Sequence, residues 1–137
     1  MNLSEGILTL RPLEAKLTHD TEILGAMSPY ITIMFNKQKF KTKVHASGGK
    51  TPKWSDEFVM EITDHSEEAT LRVWDEDLTT SDHVGFCKIK MSSLMINMGV
   101  EDWFTILFDN KPAGQVLLKS TFEPKGGDQY QAMQDAL

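Results

Sequence analysis

The sequence has a single cysteine among its 137 residues, so no disulfide can form within the chain. This composition favours a reducing compartment. No apolar run approaches the roughly 18 residues that a membrane-spanning helix needs. Residues 1–5 also lack the basic and apolar regions of a signal peptide. These absences predict a cytoplasmic protein whose contacts with membranes are peripheral.

Charge is distributed unevenly along the chain, whose net charge is −6. Residues 36–53 contain six lysines and no acidic residue, whereas residues 56–82 contain ten carboxylates and one arginine. Separate patches of opposite sign indicate partners or ions that recognise one patch. A globally acidic chain is a poor general binder of phosphate backbones, so nucleic acid is not a predicted partner.

Short runs of alternating apolar and polar residues, separated by clusters of Gly, Pro, Asn and Asp, are typical of β-strands and turns. Such runs occur at 7–10, 30–35, 37–44, 57–62, 70–74, 84–91, 103–107 and 115–122. The only helix-like stretch is 92–98. This pattern predicts one all-β sandwich domain over residues 1–122. Residues 123–137 have too few apolar side chains to add to a core and are predicted to form a flexible tail.

An acidic loop follows the run that ends at Trp74. It contains Asp75, Glu76, Asp77 and Asp82, and these carboxylates repel one another unless a cation lies among them. Calcium takes about 6–8 oxygen ligands, for which clustered carboxylates are a common source. The loop is not an EF-hand, because Thr80 and Phe86 occupy the positions that require glycine and glutamate. The loop is therefore either a solvated acidic turn or a calcium site of another kind.

Residues 37–44 place a lysine at every second position, and alternate side chains of a strand share a face. The face contains Lys37, Lys39, Lys41 and Lys43. Four like charges on one face suit an anionic ligand. A solvated outer strand, on which lysine also prevents edge-to-edge aggregation, is the alternative.

Three segments resemble the C2 domain family of calcium- and phospholipid-binding modules. They read GAMSPYITI at 25–33, TPKWSDEF at 51–58, and VWDEDLTTSDHVG at 73–85. The family patterns are Gly-x-x-x-Asp-Pro-Tyr, Asn-Pro-x-Trp-Asn-Glu-x-Phe, and Asp-x-Asp with a later Asp and Gly. The resemblance covers residues 6–122 and implies an eight-stranded antiparallel β-sandwich of C2 type, in the type II, phospholipase-like circular variant.

The resemblance also implies a metal site. Asp75 and Asp77 match the Asp-x-Asp pair, and Asp82 matches the later Asp. Glu22 occupies the place of the first-loop carboxylate, with Asp20 close enough to compete. The Asp expected before the proline is Ser28 here. The prediction is therefore a calcium site that is weak or degenerate.

In the family, a lysine-rich strand in the place of Lys37, Lys39, Lys41 and Lys43 binds anionic headgroups such as phosphoinositides or phosphatidylserine. Ile23 and Leu78, near the tips of the two acidic loops, are predicted to touch the bilayer. The resemblance thus predicts a monomeric, non-catalytic module that docks on anionic phospholipid membranes. The alternative is a calcium-independent protein–protein interaction or scaffold module.

Overall fold

The computed structural model describes residues 2–65 and 67–126. The described chain forms eight β-strands, which are β1 (Asn2–Leu17), β2 (Pro29–Phe35), β3 (Gln38–Lys41), β4 (Phe58–Ile62), β5 (Glu68–Glu76), β6 (Ser81–Lys90), β7 (Glu101–Phe108) and β8 (Lys111–Lys125). A short helix α1 (Met91–Met95) and a 3₁₀ turn (Ile96–Met98) connect β6 to β7. The predicted all-β architecture and the position of the one helical segment are confirmed.

The strands lie side by side in the order β3-β2-β5-β6-β7-β8-β1-β4, and all neighbours are antiparallel. β6 and β7 pair at one position only, Phe86 with Leu107. The molecule is therefore an almost closed sandwich of two four-stranded halves. β1 lies between β4 and the last strand, β8, so the N-terminal strand is internal to its sheet.

The core lies between the two halves because alternate strand residues are apolar. Ile31 and Leu71 from one half and Leu8, Met60 and Leu118 from the other are at most 1% exposed. The alternation is clearest in β4, in which every second residue from Phe58 is buried. This packing fixes the register, since a slip by one residue would expose the apolar set.

The predicted strand 37–44 is shorter in the structure, where β3 ends at Lys41, so Lys37 and Lys43 both lie outside the strand. Asn36 and Lys37 form a tight two-residue turn between β2 and β3, with φ of 50° and 66°. Positive φ at both residues is the geometry of a hairpin turn that matches the twist of the strands. Lys37 consequently lies in a turn and not on the strand face with Lys39 and Lys41.

Two other bounds differ from the prediction. β1 runs to Leu17, well beyond residue 10, with a register irregularity between Pro12 and Glu14. β8 continues to Lys125, past the predicted end of the domain at residue 122. The rest of the predicted tail, 127–137, lies outside the described residues.

The directions of the strands bring several connections to one end of the sandwich. These are residues 18–28 after β1, 77–80 between β5 and β6, and 109–110 between β7 and β8. This end is called the loop end below, and it contains the predicted acidic site.

Candidate calcium and lipid site

Four carboxylates meet at the loop end, one from the connection after β1 and three from the β5–β6 hairpin. Glu22 comes from the connection after β1, Asp75 lies near the end of β5, Asp77 lies in the β5–β6 turn, and Asp82 lies near the start of β6. One carboxylate oxygen from each lies within 4.8 Å of the others. The structure thus brings together all four side chains that were predicted as metal ligands, and oxygen atoms at this spacing suit a hard cation.

The β5–β6 hairpin positions three of these four groups. Asp75 is directly opposite Asp82 in the antiparallel register. The Asp77 N–H donates to the Thr80 carbonyl at 2.8 Å and closes the turn between them. The Tyr30 hydroxyl donates to the Ser81 hydroxyl at 2.8 Å, which links the start of β6 to β2.

Asp75 is the buried anchor of the cluster, with 0% of its surface exposed. Its Oδ1 accepts the Ser28 N–H at 2.7 Å, and its Oδ2 accepts the Thr21 hydroxyl at 2.8 Å. A buried carboxylate needs such donors because an unpaired charge in the interior is costly. Thr21 was not predicted to take part in the site, since a lone threonine in a loop has no distinctive spacing.

Close contact between the carboxyl groups raises the pKa of two of them. Hydrogen bonding with Asp75 and then with Asp77, with smaller effects of their charges and of burial, raises the pKa of Glu22 to about 7. Hydrogen bonding with Asp77 is also the main reason that the pKa of Asp82 is raised, followed by burial and by the charges of Asp77 and Asp75. Without a cation, Glu22 therefore holds its proton up to about pH 7, as expected for a carboxyl group packed against other carboxylates.

Ser28 and Asp20 do not belong to the group of four. The Ser28 hydroxyl accepts the Ser47 N–H at 3.1 Å, so its oxygen is engaged with the neighbouring loop. Asp20 accepts the Glu22 N–H at 2.9 Å and fixes the local turn. Glu22, and not Asp20, supplies the first-loop carboxylate to the cluster.

Apolar side chains project from the two connections that carry the acidic groups. Ile23 is 97% exposed and Leu78 is 105% exposed, as expected for the predicted loop tips. Leu24, which sequence reasoning missed, is 87% exposed beside Ile23. Three large apolar side chains are thus almost entirely in water on the two loops that contain Glu22 and Asp77.

The lysine-rich segment lies on the outer face of the β3-β2-β5-β6 half. Lys39, Lys41 and Lys43 are all exposed, and the Lys41 ammonium lies 4.5 Å from the centre of the Tyr30 ring. The Lys43 N–H is held by both Asp56 oxygens at 3.2 Å. Of the four predicted lysines, Lys39 and Lys41 therefore lie on β3, Lys43 follows the strand as an exposed residue, and Lys37 lies in the preceding turn.

Cross-strand pairing extends this lysine edge into a wider basic face. Across β3, β2 and β5, Lys41 lies opposite Thr32, which lies opposite Arg72. Lys39 lies opposite Met34 in the neighbouring row of β3 and β2. Paired residues share one face of a sheet, so Arg72 lies on the outer face with the lysines. The row of Lys39 and Met34 continues through Thr70 of β5 to Lys88 of β6, so Lys88 also lies on the outer face. We define the basic face as Lys39, Lys41, Lys43, Arg72 and Lys88.

His83, next to Asp82, lies against aromatic rings. Its ring centre is 5.1 Å from that of Trp74. Burial, followed by the charge of Arg72 and by His19, lowers the pKa of His83 below its usual value. The environment of His83 thus favours its neutral form.

Among the described residues, no helix is long and apolar enough to cross a membrane.

Comparisons with known proteins agree with this architecture. The C2 domain family model matches residues 6–106, which is most of the chain. The chain therefore belongs to the C2 domain family. It is similar to the 16 kDa phloem protein 2 of Arabidopsis thaliana, with 23% identity over 89% of this chain and 84% of that protein.

Solved structures share the fold. A C2 domain-containing protein from a putative elicitor-responsive gene superposes with a TM-score of 0.76 at 24% identity, covering 90% of this chain and 92% of the other. The calcium-bound structure of the two C2 domains of extended synaptotagmin 2 gives a TM-score of 0.74 at 22% identity, covering 98% of this chain and 53% of the other.

Proposed function

We propose that this C2 domain is a non-catalytic, peripheral membrane-binding module for anionic phospholipids. The observation that carries the proposal is the loop end, where four carboxylates lie within 4.8 Å of one another beside the exposed Ile23, Leu24 and Leu78. An acidic cluster repels an anionic membrane, whereas the same cluster with a bound divalent cation attracts it. The apolar tips then enter the interface. The predicted setting is the cytoplasm, and the predicted state is a monomer.

Calcium is the proposed cation, and its binding is expected to be weak. Glu22, Asp75, Asp77 and Asp82 would hold it, and Ser28 contributes no charge. Affinity in oxygen-ligand sites rises with the number of charged ligands, so we expect a Kd of about 10⁻⁴–10⁻³ M. The calcium-bound extended synaptotagmin 2 structure, which has the same fold, supports the choice of this ion.

The calcium site is tested by calorimetry on Asp77→Asn. Asp77 is exposed, so the change should leave the fold intact while it removes a charged ligand. We expect calcium binding to weaken by about tenfold or more. Glu76→Gln is the matched control, because Glu76 is exposed in the same hairpin and is not one of the four clustered groups. Equal affinity of Asp77→Asn and the parent would refute the site.

The basic face is proposed to bind phosphoinositide or phosphatidylserine headgroups without calcium. A basic side chain near an anionic membrane gains roughly 1 kcal/mol. The double change Lys39→Glu/Lys41→Glu should therefore strongly reduce co-sedimentation with phosphoinositide vesicles in chelator. Lys119→Glu, on the outer side of β8 in the other half, is the control. Binding by the parent should fall as salt rises. If the double variant binds like the parent, the lysines form only a solvated face.

A second candidate function is a calcium-independent protein-interaction or scaffold module. The engagement of the Ser28 hydroxyl with Ser47 favours it, because this leaves the cluster with four carboxylates and no fifth ligand from this position. Co-sedimentation with anionic vesicles, with and without calcium, separates the two functions. An absence of vesicle binding under both conditions would favour the scaffold.

A further inference from the structure

The sheet has two outermost strands, β3 and β4, and both lie on the same side of the sandwich. Among the described strands, β3 pairs only with β2 and β4 pairs only with β1. The Phe40 ring of β3 lies 5.4 Å from the Phe58 ring of β4, centre to centre. The Lys43 N–H, just after β3, is held by Asp56, just before β4. We call this side of the molecule, formed by β3 and β4, the edge side.

The main chain of β3 is available for pairing at the edge side. The Thr42 N–H donates to the Ile31 carbonyl of β2 at 2.9 Å. Main-chain groups of successive residues in an antiparallel strand point alternately toward its two sides, so those of Lys39 and Lys41 point away from β2. Neither β3 nor β4 contains a proline or a register irregularity. Charge is therefore the remaining feature that controls which strand such an edge accepts.

The outer faces of the two edges carry opposite charges. On β3 the exposed residues include Lys39 and Lys41. On β4 they are Val59, which is 55% exposed, and Glu61, and the exposed Glu57 directly precedes the strand. Like charges opposite each other in a sheet are destabilising, whereas opposite charges are stabilising. Each edge is thus protected against its own kind, but β3 and β4 are not protected against each other.

We propose that a second copy of this chain pairs at the edge side, with β3 of each copy beside β4 of the other. A two-fold axis parallel to the strands makes both contacts at once, because it places each half of one copy in line with the opposite half of the other. The strands then meet antiparallel, since β3 and β4 run in opposite directions within one copy. Such an interface is isologous and closes as a dimer.

The same symmetry fixes the register of the new strand pairs. An axis parallel to the strands keeps each residue at its own height, so β3 and β4 of different copies meet in the register that they have across one copy. Phe40 faces Phe58 there, so Lys39 comes opposite Val59 of the other copy. A glutamate lies two residues to each side of Val59, and long side chains reach such diagonal neighbours in a sheet. The lysines of each copy are therefore matched with carboxylates of the other, twice in each dimer.

The pairing is expected to be weak because the strands that meet are only four and five residues long. Small interfaces are typical of transient complexes. At low concentration the chain therefore remains the monomer of the proposed function, and it pairs where its local concentration is high. The inference goes beyond the proposed membrane function and does not depend on it.

Sedimentation velocity of the full chain in low-salt buffer with chelator, over about 10⁻⁶–10⁻³ M protein, tests the pairing. We expect a dimer only at the upper end of this range. Glu57 already pairs with Arg11 of its own copy, so Glu61 is the carboxylate to reverse. Glu61→Lys and Lys39→Glu should each weaken association by about tenfold, because each replaces an attraction by a repulsion twice in the dimer. Lys39→Glu/Glu61→Lys exchanges the two charges and should associate like the parent.

Glu101→Lys and Lys119→Glu are the matched controls for the change in net charge. Both residues are exposed on β7 and β8, away from the edge side, and both variants should associate like the parent. Circular dichroism checks that each variant is folded. The proposal is overturned if the parent stays monomeric at about 10⁻³ M, if the single edge variants associate like the parent, or if the double variant does not recover association.

Amide NMR over the same dilution series locates the contact. We expect the concentration-dependent shifts to fall on residues 38–41 and 57–62 and to be absent from the loop end. Shifts that fall mainly outside these two segments would overturn the pairing of β3 with β4. Because both experiments are made without lipid or calcium, their failure would leave the proposed membrane function standing, and a failure of vesicle binding would not affect their outcome.

Discussion

Replacing Thr21 by valine tests whether the buried Asp75 depends on the hydroxyl that faces it. Valine has the shape of threonine without the hydroxyl, so Thr21→Val removes the 2.8 Å hydrogen bond to Asp75 Oδ2 and little else. The Ser28 N–H remains on Oδ1. The variant thus isolates one donor to the carboxylate that anchors the cluster.

The expected loss of stability is modest. A hydrogen bond to a charged group contributes about 1.5–3 kcal/mol, and water can reach a partly buried pair, so we expect about 1 kcal/mol. For a domain of this size, that corresponds to a fall in Tm of about 3–5 °C. Donors that orient a metal ligand typically affect affinity by about tenfold or more, so calcium binding should also weaken by about tenfold.

Two melting curves separate these effects, one in chelator and one in millimolar calcium. The parent should melt higher in calcium, and Thr21→Val should melt lower in chelator with a smaller calcium-induced rise. Thr80→Val is the control, because Thr80 is an exposed threonine in the β5–β6 turn. If Thr21→Val and the parent show equal Tm values under both conditions, the hydrogen bond to Asp75 contributes nothing and the reasoning is refuted.

Three other changes probe the same end of the molecule. The pKa of Glu22 is raised in the folded state to about 7, so its contribution to stability in chelator should be fully present below pH 4.5 and be lost as pH rises to 7 and above. Glu22→Gln, or calcium, should therefore flatten the dependence of Tm on pH. Leu78→Trp should show blue-shifted emission with anionic vesicles, and an unchanged spectrum counts against insertion. Ser28→Asp should lower the Tm in chelator and enlarge the calcium-induced rise, whereas an unchanged rise would mean that this side chain remains with Ser47.

The fold could be predicted from the sequence because its signals are local. Alternation of apolar and polar residues, as in β4, reports both the strand and its buried face, and turn residues separate the strands. The error in β3 was also local. Lys37 continues the alternation of the lysines, yet it has a positive φ in a two-residue turn. The alternation alone does not distinguish a turn residue from a strand residue.

The candidate site was only partly accessible from the sequence. Carboxylates at short spacing, such as Asp75 and Asp77, can be assigned together because one hairpin carries them. Arg72 and Lys88 were missed because their place on the basic face follows from the pairing of four strands, and the register of those strands is set by the packed core. A basic face is a property of the sheet, whereas a lysine-rich run is a property of one segment.

The loop end also depends on contacts between distant segments. Phe108 is far from His19 along the chain, and their rings nonetheless stack at 4.0 Å because β7 ends where β1 leads into its loop. The same convergence brings the carboxylates and the loops with the exposed apolar tips to this end. In the proposed function, the carboxylates and the apolar tips at this one end would set the orientation of the domain toward a membrane. The basic face lies along the side of the sandwich, so its use together with the loop end would tilt the domain. The relative effects of Lys39→Glu/Lys41→Glu and Asp77→Asn on binding to phosphoinositide vesicles in calcium would therefore report which surface dominates the orientation.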